Sequence, residues 1–234
     1  MKPVLYMQND PRWASHDYSA RGEKTTIKAE GCGVACAAMV IATLADKNVT
    51  PITTAEWSKG HGYKAKGQGT YYSYFKPQGA AYGIDITMLN GTNIYGAPSS
   101  KYHEMAKEAI GRGDLVIACM GKGNWTTSGH YVLWYGLEVG KVLINDPWSR
   151  KPAQTNGDYN LFKRQVKYYW IVKVPEKLKG DDEVVKREKI IINGKEQEAD
   201  MIRKDGNTYI KVRDTAKLLG LKVGNKGKVP TLDK

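Results

Sequence analysis

The chain has 234 residues, 41% of them hydrophobic and 26% charged, with a formal charge of +12 at neutral pH and a pI near 9.4. That length holds one full-sized domain and a smaller second one, and the composition excludes a disordered chain. The longest apolar stretch, around Gly33–Leu44, falls short of the roughly 18 residues that a membrane-spanning helix needs, so no insertion into a membrane is expected.

The basic surplus is spread along the chain, with 21 Lys+Arg against 13 Asp+Glu over residues 1–175 and 15 against 11 over 176–234. Charge of this kind suits nucleic acid, an anionic wall polymer or a membrane surface about equally, and does not choose among them. The N-terminus reaches polar Gln8-Asn9-Asp10 too soon for the apolar core of a secretory signal, and reads as lacking one.

In chain order, Gly31-Cys32-Gly33 leads into Val34–Ala45, whose small and apolar residues predict a buried helix. Lys101–Arg112 is an amphipathic helix ended by Gly113, followed by the strand-like run Leu115–Met120. His130–Val139, Lys141–Asn145 and Tyr168–Val174 read as strands of one antiparallel sheet. Helix first and sheet later is an α+β layout, because the two are segregated instead of alternating.

Pro175–Lys189 is mostly charged or polar, with Gly180-Asp181-Asp182-Glu183 in its middle, and reads as a linker. The expected organisation is a first domain over 1–175, a linker over 176–188 and a small α/β domain over 189–234. In the last, strands at 189–192, 196–202 and 208–212 are separated by turns at Asn193-Gly194 and Asp205-Gly206-Asn207, with a helix at Arg213–Leu219.

Three cysteines, at 32, 36 and 119, are an odd number in a chain too large to depend on disulfides, so a free thiol is expected. They lack the paired spacing of a zinc site, and neither a structural metal nor a cofactor is expected. A thiol becomes a good nucleophile as thiolate, a form favoured at a helix N-terminus beside a histidine, and Cys32 stands at such a place. Gly31 and Gly33 are expected to leave room there for a substrate backbone. Cys36, one turn into the helix, and Cys119, in a strand, read as core.

His130 opens a strand after Ser128-Gly129, where an imidazole can face a helix terminus, whereas His16, His61 and His103 occupy contexts of solvated side chains. Asp146, at the end of the next strand, is expected to accept the His130 Nδ1 proton and fix the tautomer. Gln8, upstream of the cysteine, is the candidate side-chain donor to an oxyanion, together with the Cys32 N–H. Trp13, Trp125, Gly129, Tyr131 and Trp148 are further candidates for substrate contact.

The segments Tyr6-Met7-Gln8-Asn9-Asp10-Pro11-Arg12-Trp13, Gly31-Cys32-Gly33-Val34-Ala35-Cys36-Ala37-Ala38-Met39-Val40, Gly111-Arg112-Gly113, Gly129-His130-Tyr131-Val132 and Ile144-Asn145-Asp146-Pro147 occur in an order that resembles a known family. It is the papain-like peptidases related to bacteriocin-leader-processing enzymes, in their stand-alone branch, over residues 5–175. The resemblance implies a helix packed on an antiparallel sheet, a triad of Cys32, His130 and Asp146, Gln8 at the oxyanion hole, and a peptide or amide substrate.

No phosphate-cradling P-loop accompanies it, which weighs against leader processing by a transporter. Residues 190–220 look like the copper-amine-oxidase-N-terminal-type stalk domains of Gram-positive surface proteins; with no histidine or cysteine there, no copper chemistry is implied. A stand-alone peptidase, a charged linker, a small wall-type module and no export signal fit a phage endolysin made in the host cytoplasm. The expected partner is Gram-positive peptidoglycan, with no nucleic acid, cut within the stem or cross-bridge or at the muramic acid amide. The alternatives are a peptidase acting on a protein or leader peptide, and a wall-binding module without activity.

Overall fold

The computed structural model describes residues 1–89, 99–179, 186–192, 194–204, 207–210, 212–226 and 229–233. The chain divides into two units, Met1–Lys179 and Gly180–Lys234.

The first unit opens with a long irregular segment and a short helix α1 (Ile27–Glu30), followed by α2 (Cys32–Leu44), α3 (Pro51–Gly60), α4 (Phe75–Ala80), β1 (Ile86–Met88) and α5 (Ser100–Gly111). Then come β2 (Leu115–Met120), β3 (His130–Glu138), β4 (Lys141–Asn145), α6 (Pro152–Thr155), β5 (Asn156–Asp158), α7 (Tyr159–Gln165) and β6 (Val166–Val172). The six strands form one antiparallel sheet in the order β1-β6-β2-β3-β4-β5. This is the α+β arrangement of a helix packed on an antiparallel sheet that the sequence predicts.

The side-chain alternation of the central strands explains why they are almost wholly apolar. Along β2, Leu115, Ile117 and Cys119 enter one core while Val116, Ala118 and Met120 enter another. On β6, Tyr168, Trp170 and Val172 join the first and Val166 and Tyr169 the second. A strand covered on both faces has no polar side to show, which makes Leu115–Met120 a continuous hydrophobic run.

The first core lies beneath α2, α3 and α4. Ten of the thirteen α2 residues are buried, and its Ala35, Ala37 and Ala38 let the helix lie close to the sheet. Tyr72, Phe75, Tyr131, Tyr168 and Trp170 fill the space with edge-on and tilted ring contacts. The second core lies beneath α5 and α7, where Trp125, Trp134, Phe162 and Tyr169 gather.

The last strand begins at Val166, two residues before the predicted start, because α7 runs directly into it. Beyond β6 the chain does not become free linker at once. A 3-10 turn at Glu176–Leu178 leads to Lys179, whose ammonium lies 3.0 Å from the buried carboxylate of Asp114, and Asp114 also accepts the Val174 N–H. Leu178 packs against the first core. The predicted linker therefore surrenders its first residues to the first unit, while Gly180-Asp181-Asp182-Glu183 lie outside the described residues.

In the second unit, β7 (Lys186–Ile192), β8 (Lys195–Lys204) and β9 (Asn207–Ile210) form an antiparallel sheet. Helix α8 (Val212–Leu219) and a hairpin of β10 (Lys222–Lys226) and β11 (Val229–Asp233) complete it. Of the predicted turns, Asn193 and Asp205-Gly206 lie outside the described residues, whereas Gly194 has a φ of 76° that suits glycine.

Candidate active site

Cys32 is the first residue of α2, after a break from α1 at Gly31. The Lys28 carbonyl, which a continuous helix would turn toward the Cys32 N–H, instead accepts the side-chain amide of Gln8 at 2.8 Å. That single bond ties the Gln8 side chain to the entry of the cysteine helix. The Gln8 backbone N–H donates to the Pro147 carbonyl at 2.7 Å, so the same residue is also tied to the segment just beyond Asp146.

The two glycines beside the cysteine are buried against close neighbours and do not themselves line the cleft that opens over Cys32. A side chain at Gly31 would stand 2.4 Å from the Ile27 carbonyl oxygen, and one at Gly33 would stand 2.6 Å from the Thr70 hydroxyl and 3.2 Å from the Tyr131 ring. Gly31 has a φ of −89°, which any residue adopts, so close approach and not unusual backbone geometry requires glycine there.

His130 and Asp146 come from adjacent strands. Leu133 of β3 pairs with Asn145 of β4, so the residue after Asn145 arrives beside the start of β3. The His130 Nε2 and Asp146 Oδ1 are 2.7 Å apart, with both side chains buried. The bond is made by Nε2 and not by Nδ1 as the sequence reading expects. The ring nitrogen farther from the backbone reaches the carboxylate, which leaves Nδ1 as the nitrogen not bound to Asp146, and Cys32 acts on the same ring to favour its charged form. Asp146 Oδ1 also accepts the N–H groups of Trp148 and Ser149, which hold the carboxylate in place.

Burial works against a charged His130, but hydrogen bonds to Asp146 and Cys32, and the charges of both, outweigh it and raise the histidine from 6.5 to about 10. Burial acts the other way on the remaining thiols. It pushes Cys119 up to about 12 and Cys36 well above the ordinary thiol value, which keeps both protonated and inert as core residues.

A cleft of about 620 Å³ opens over Cys32 and His130. Its lining includes Gln8, Lys28, the Gly123–Gly129 loop, Trp148 and Gln154. The loop is fastened by amide groups: the Gln154 side chain donates to the Asn124 carbonyl, the Gln154 backbone carbonyl accepts the Trp125 indole N–H, and the Gln165 side chain accepts the Asn124 N–H. These amide ties give the cleft wall a fixed shape, and sequence reasoning missed them because glutamines 30 and 41 residues away carry no local pattern.

Of the candidates for substrate contact, Trp125, Gly129 and Trp148 line the cleft, with Trp148 49% exposed. Trp13 and Tyr131 do not; both are core residues. Trp13 donates its indole N–H to the Met7 carbonyl, which braces the Gln8 segment, and Tyr131 donates its hydroxyl to the Thr70 carbonyl below the sheet face. Trp13 thus supports the site from behind. His103, expected to be solvated, is half-buried and bonded to the Tyr169 hydroxyl.

Among the described residues no group of three His, Cys, Asp or Glu side chains gathers to hold a metal, and no helix is long and apolar enough to cross a membrane. The arrangement of thiol, imidazole and carboxylate, with amide and backbone N–H donors at the helix entry, has the parts needed for attack on a carbonyl carbon.

Comparison with solved structures finds the peptidase domain of Streptococcus ComA, a bifunctional ABC transporter involved in quorum sensing, at 15% identity and a TM-score of 0.43, covering 63% of this chain and 93% of that one. A double glycine motif protease from an AMS/PCAT transporter, solved with its leader peptide, matches at 17% identity and a TM-score of 0.43, covering 74% and 93%. A C39-like peptidase from Bacillus anthracis matches at 13% identity and a TM-score of 0.43, covering 75% and 99%. No curated protein matches the chain. The family match ends at residue 175, and none of these comparisons supports a likeness of residues 190–220 to stalk domains. The Peptidase_C39 like family matches residues 5–175, nearly the whole first unit, and the chain belongs to that family of cysteine peptidases.

Proposed function

We propose that the protein cleaves peptide or amide bonds in the peptide part of Gram-positive peptidoglycan, with Cys32 as nucleophile, His130 as general base and acid, Asp146 as its orienting group and Gln8 at the oxyanion hole. The observation that carries the catalytic part is that Cys32 and His130 line the same cleft while His130 is hydrogen-bonded to the buried Asp146 behind it.

Cys32 attacks the carbonyl carbon as the thiolate, its proton already held on the His130 ring, which its two partners keep charged at neutral pH. The oxyanion that forms is met by the Cys32 N–H and by the Gln8 amide hydrogen not used on Lys28. Collapse expels the amine, which leaves with the proton from Nδ1, and water then releases the acyl group from sulfur by the same proton transfers in reverse. Throughout, the Nε2 bond to Asp146 holds the ring in one orientation.

The wall as substrate is supported by a wide cleft edged by an exposed tryptophan and small polar side chains, and the net positive charge over both parts of the chain is compatible with an anionic wall. An endolysin-like role, with the second unit attaching the enzyme to the wall, belongs to the same reading. The test is turbidity loss and mass spectrometry of soluble products when the protein and its Cys32→Ala variant are added to purified sacculi. Freed stem peptides or new amino termini, absent with the variant, are expected; no release from walls of several cross-link types overturns the wall substrate.

A further inference from the structure

On the sheet face opposite α2, a second, open pocket of about 480 Å³ lies between α5 and α7, lined by half-buried His103 and Lys163 and exposed Asn160 and Arg164. We propose that this pocket binds a phosphate-type anion, supplied by a phosphodiester polymer of the Gram-positive wall; the identity of that source rests on the peptidoglycan substrate proposed for the cleft.

Three groups capable of positive charge and one amide line the pocket, and no carboxylate does. The His103 ring is oriented by its Nδ1 bond to the Tyr169 hydroxyl at 2.9 Å, which leaves Nε2 as the free nitrogen. The Lys163 ammonium rests 4.9 Å from the centre of the Tyr159 ring. Among the described residues neither Lys163 nor Arg164 has an ion-pair partner, whereas Lys107 and Glu104 of α5 pair with each other at 3.7 Å.

Lysine and arginine in the last turn of α7 are also favoured by the helix dipole. The dipole does not account for a histidine brought to the same cavity from α5. Burial, and after it the Lys163 charge, makes His103 harder to protonate, and an anion held between the two side chains would offset that charge. The Tyr159 hydroxyl, on the same helix as Lys163, is buried and without a partner among the described residues, a further polar group that no protein contact satisfies.

Four donors suit a tetrahedral anion better than a planar carboxylate. The aromatic rings beside the pocket, Tyr159 and Tyr169, are buried in the second core and present no face on which a base could stack, which favours a polyol phosphate over nucleic acid. Because α7 and α5 lie across the sheet from α2, a polymer held there leaves the cleft open to the peptide.

Isotope-edited NMR of the full chain tests the proposal. Inorganic phosphate, then poly(glycerol phosphate), is expected to shift the His103 ring and Arg164 side-chain signals. The Lys163→Gln/Arg164→Gln variant is expected to weaken both titrations about tenfold, a loss typical of charge-assisted contacts, while leaving hydrolysis of a soluble peptide unchanged. His103→Gln, which keeps a hydrogen-bonding group toward Tyr169, is expected to weaken phosphate binding without lowering the melting temperature. Absence of any shift at these residues, or shifts that the double variant leaves intact, overturns the site. Tighter binding of a DNA oligonucleotide through the same residues overturns the wall polymer as its source. Failure of the wild type to cut any peptide would remove the catalytic reading and leave the anion titration standing by itself.

Discussion

His130 is buried and His103 half-buried, both are hydrogen-bonded to a side chain, and they respond in opposite directions. Burial disfavours the charged ring at each, as its leading influence. At His130 a buried carboxylate and a thiol overcome it and the value rises to about 10; at His103 the Lys163 ammonium adds to it, only partly offset by Glu104, and the value falls below 6.5. Partners and not burial decide the sign. One region holds a proton ready for transfer, and the other keeps a neutral ring beside cations.

The largest expected effect comes from removing the thiol. Cys32→Ala should lower hydrolysis by about 10⁴-fold or more, as loss of a covalent nucleophile does in related chemistry, and should bring the His130 titration below its value of about 10 by removing one of its two partners. NMR titration together with a peptide-cleavage assay reads both. A His130 signal that titrates unchanged would break the link between Cys32 and the histidine.

Asp146→Asn comes next, with a loss of about 10²- to 10⁴-fold in kcat, in the range seen when the orienting carboxylate of a triad is neutralised. A histidine whose folded value is raised stabilises the fold fully below 6.5, and that contribution is lost as pH rises toward about 10. Wild-type protein should therefore melt at progressively lower temperature across that window, and the variant should show a flatter profile. Equal slopes in calorimetric scans between pH 6.5 and 10 would show that Asp146 does not hold the proton on His130.

Gln8→Ala should cost about 10²-fold in kcat with little change in KM, because an oxyanion donor acts in the transition state. Gln8→Glu offers a control, since it replaces the donor by an acceptor in nearly the same volume. If Gln8→Glu kept full activity, the side chain would be a tie to Lys28 and nothing more.

Much of the proposed catalytic line is legible in sequence because its parts sit at strong local signals: a cysteine between glycines at the start of an apolar helix, a histidine opening a strand, an aspartate closing the next one. Antiparallel pairing of neighbours does the rest, as the Leu133–Asn145 register shows. Which ring nitrogen meets Asp146 depends on side-chain reach across the strands and has no sequence trace. Trp13 and Tyr131 look like surface aromatics of a cleft when read beside Gln8 and His130, but an aromatic ring close in sequence to a catalytic group is as often its foundation. Helices α3 and α4 are fixed mainly by tertiary burial of Thr54, Tyr74 and Phe75 against α2 and the sheet, contacts that periodicity over so few residues does not announce. The His103 pocket draws on two helices 57 or more residues apart in the chain, and no motif joins them.

The smallest effect sharpens the contrast between the two histidines most directly. Lys163→Gln removes a repelling charge from the neighbourhood of His103 without altering the ring's burial or its bond to Tyr169, so the His103 titration should move upward toward 6.5. Glu104→Gln removes the attracting charge and should move it further down. A histidine whose folded value is depressed loses stability as pH falls through 6.5, so Lys163→Gln should also soften the decline in melting temperature on the acid side, and Glu104→Gln should steepen it. His130 should be indifferent to both changes, because Asp146 and Cys32 set its value. Parallel shifts of the two histidines would mean that the net charge of the molecule governs both; opposite shifts of His103 alone would show that each site is tuned by the groups it touches.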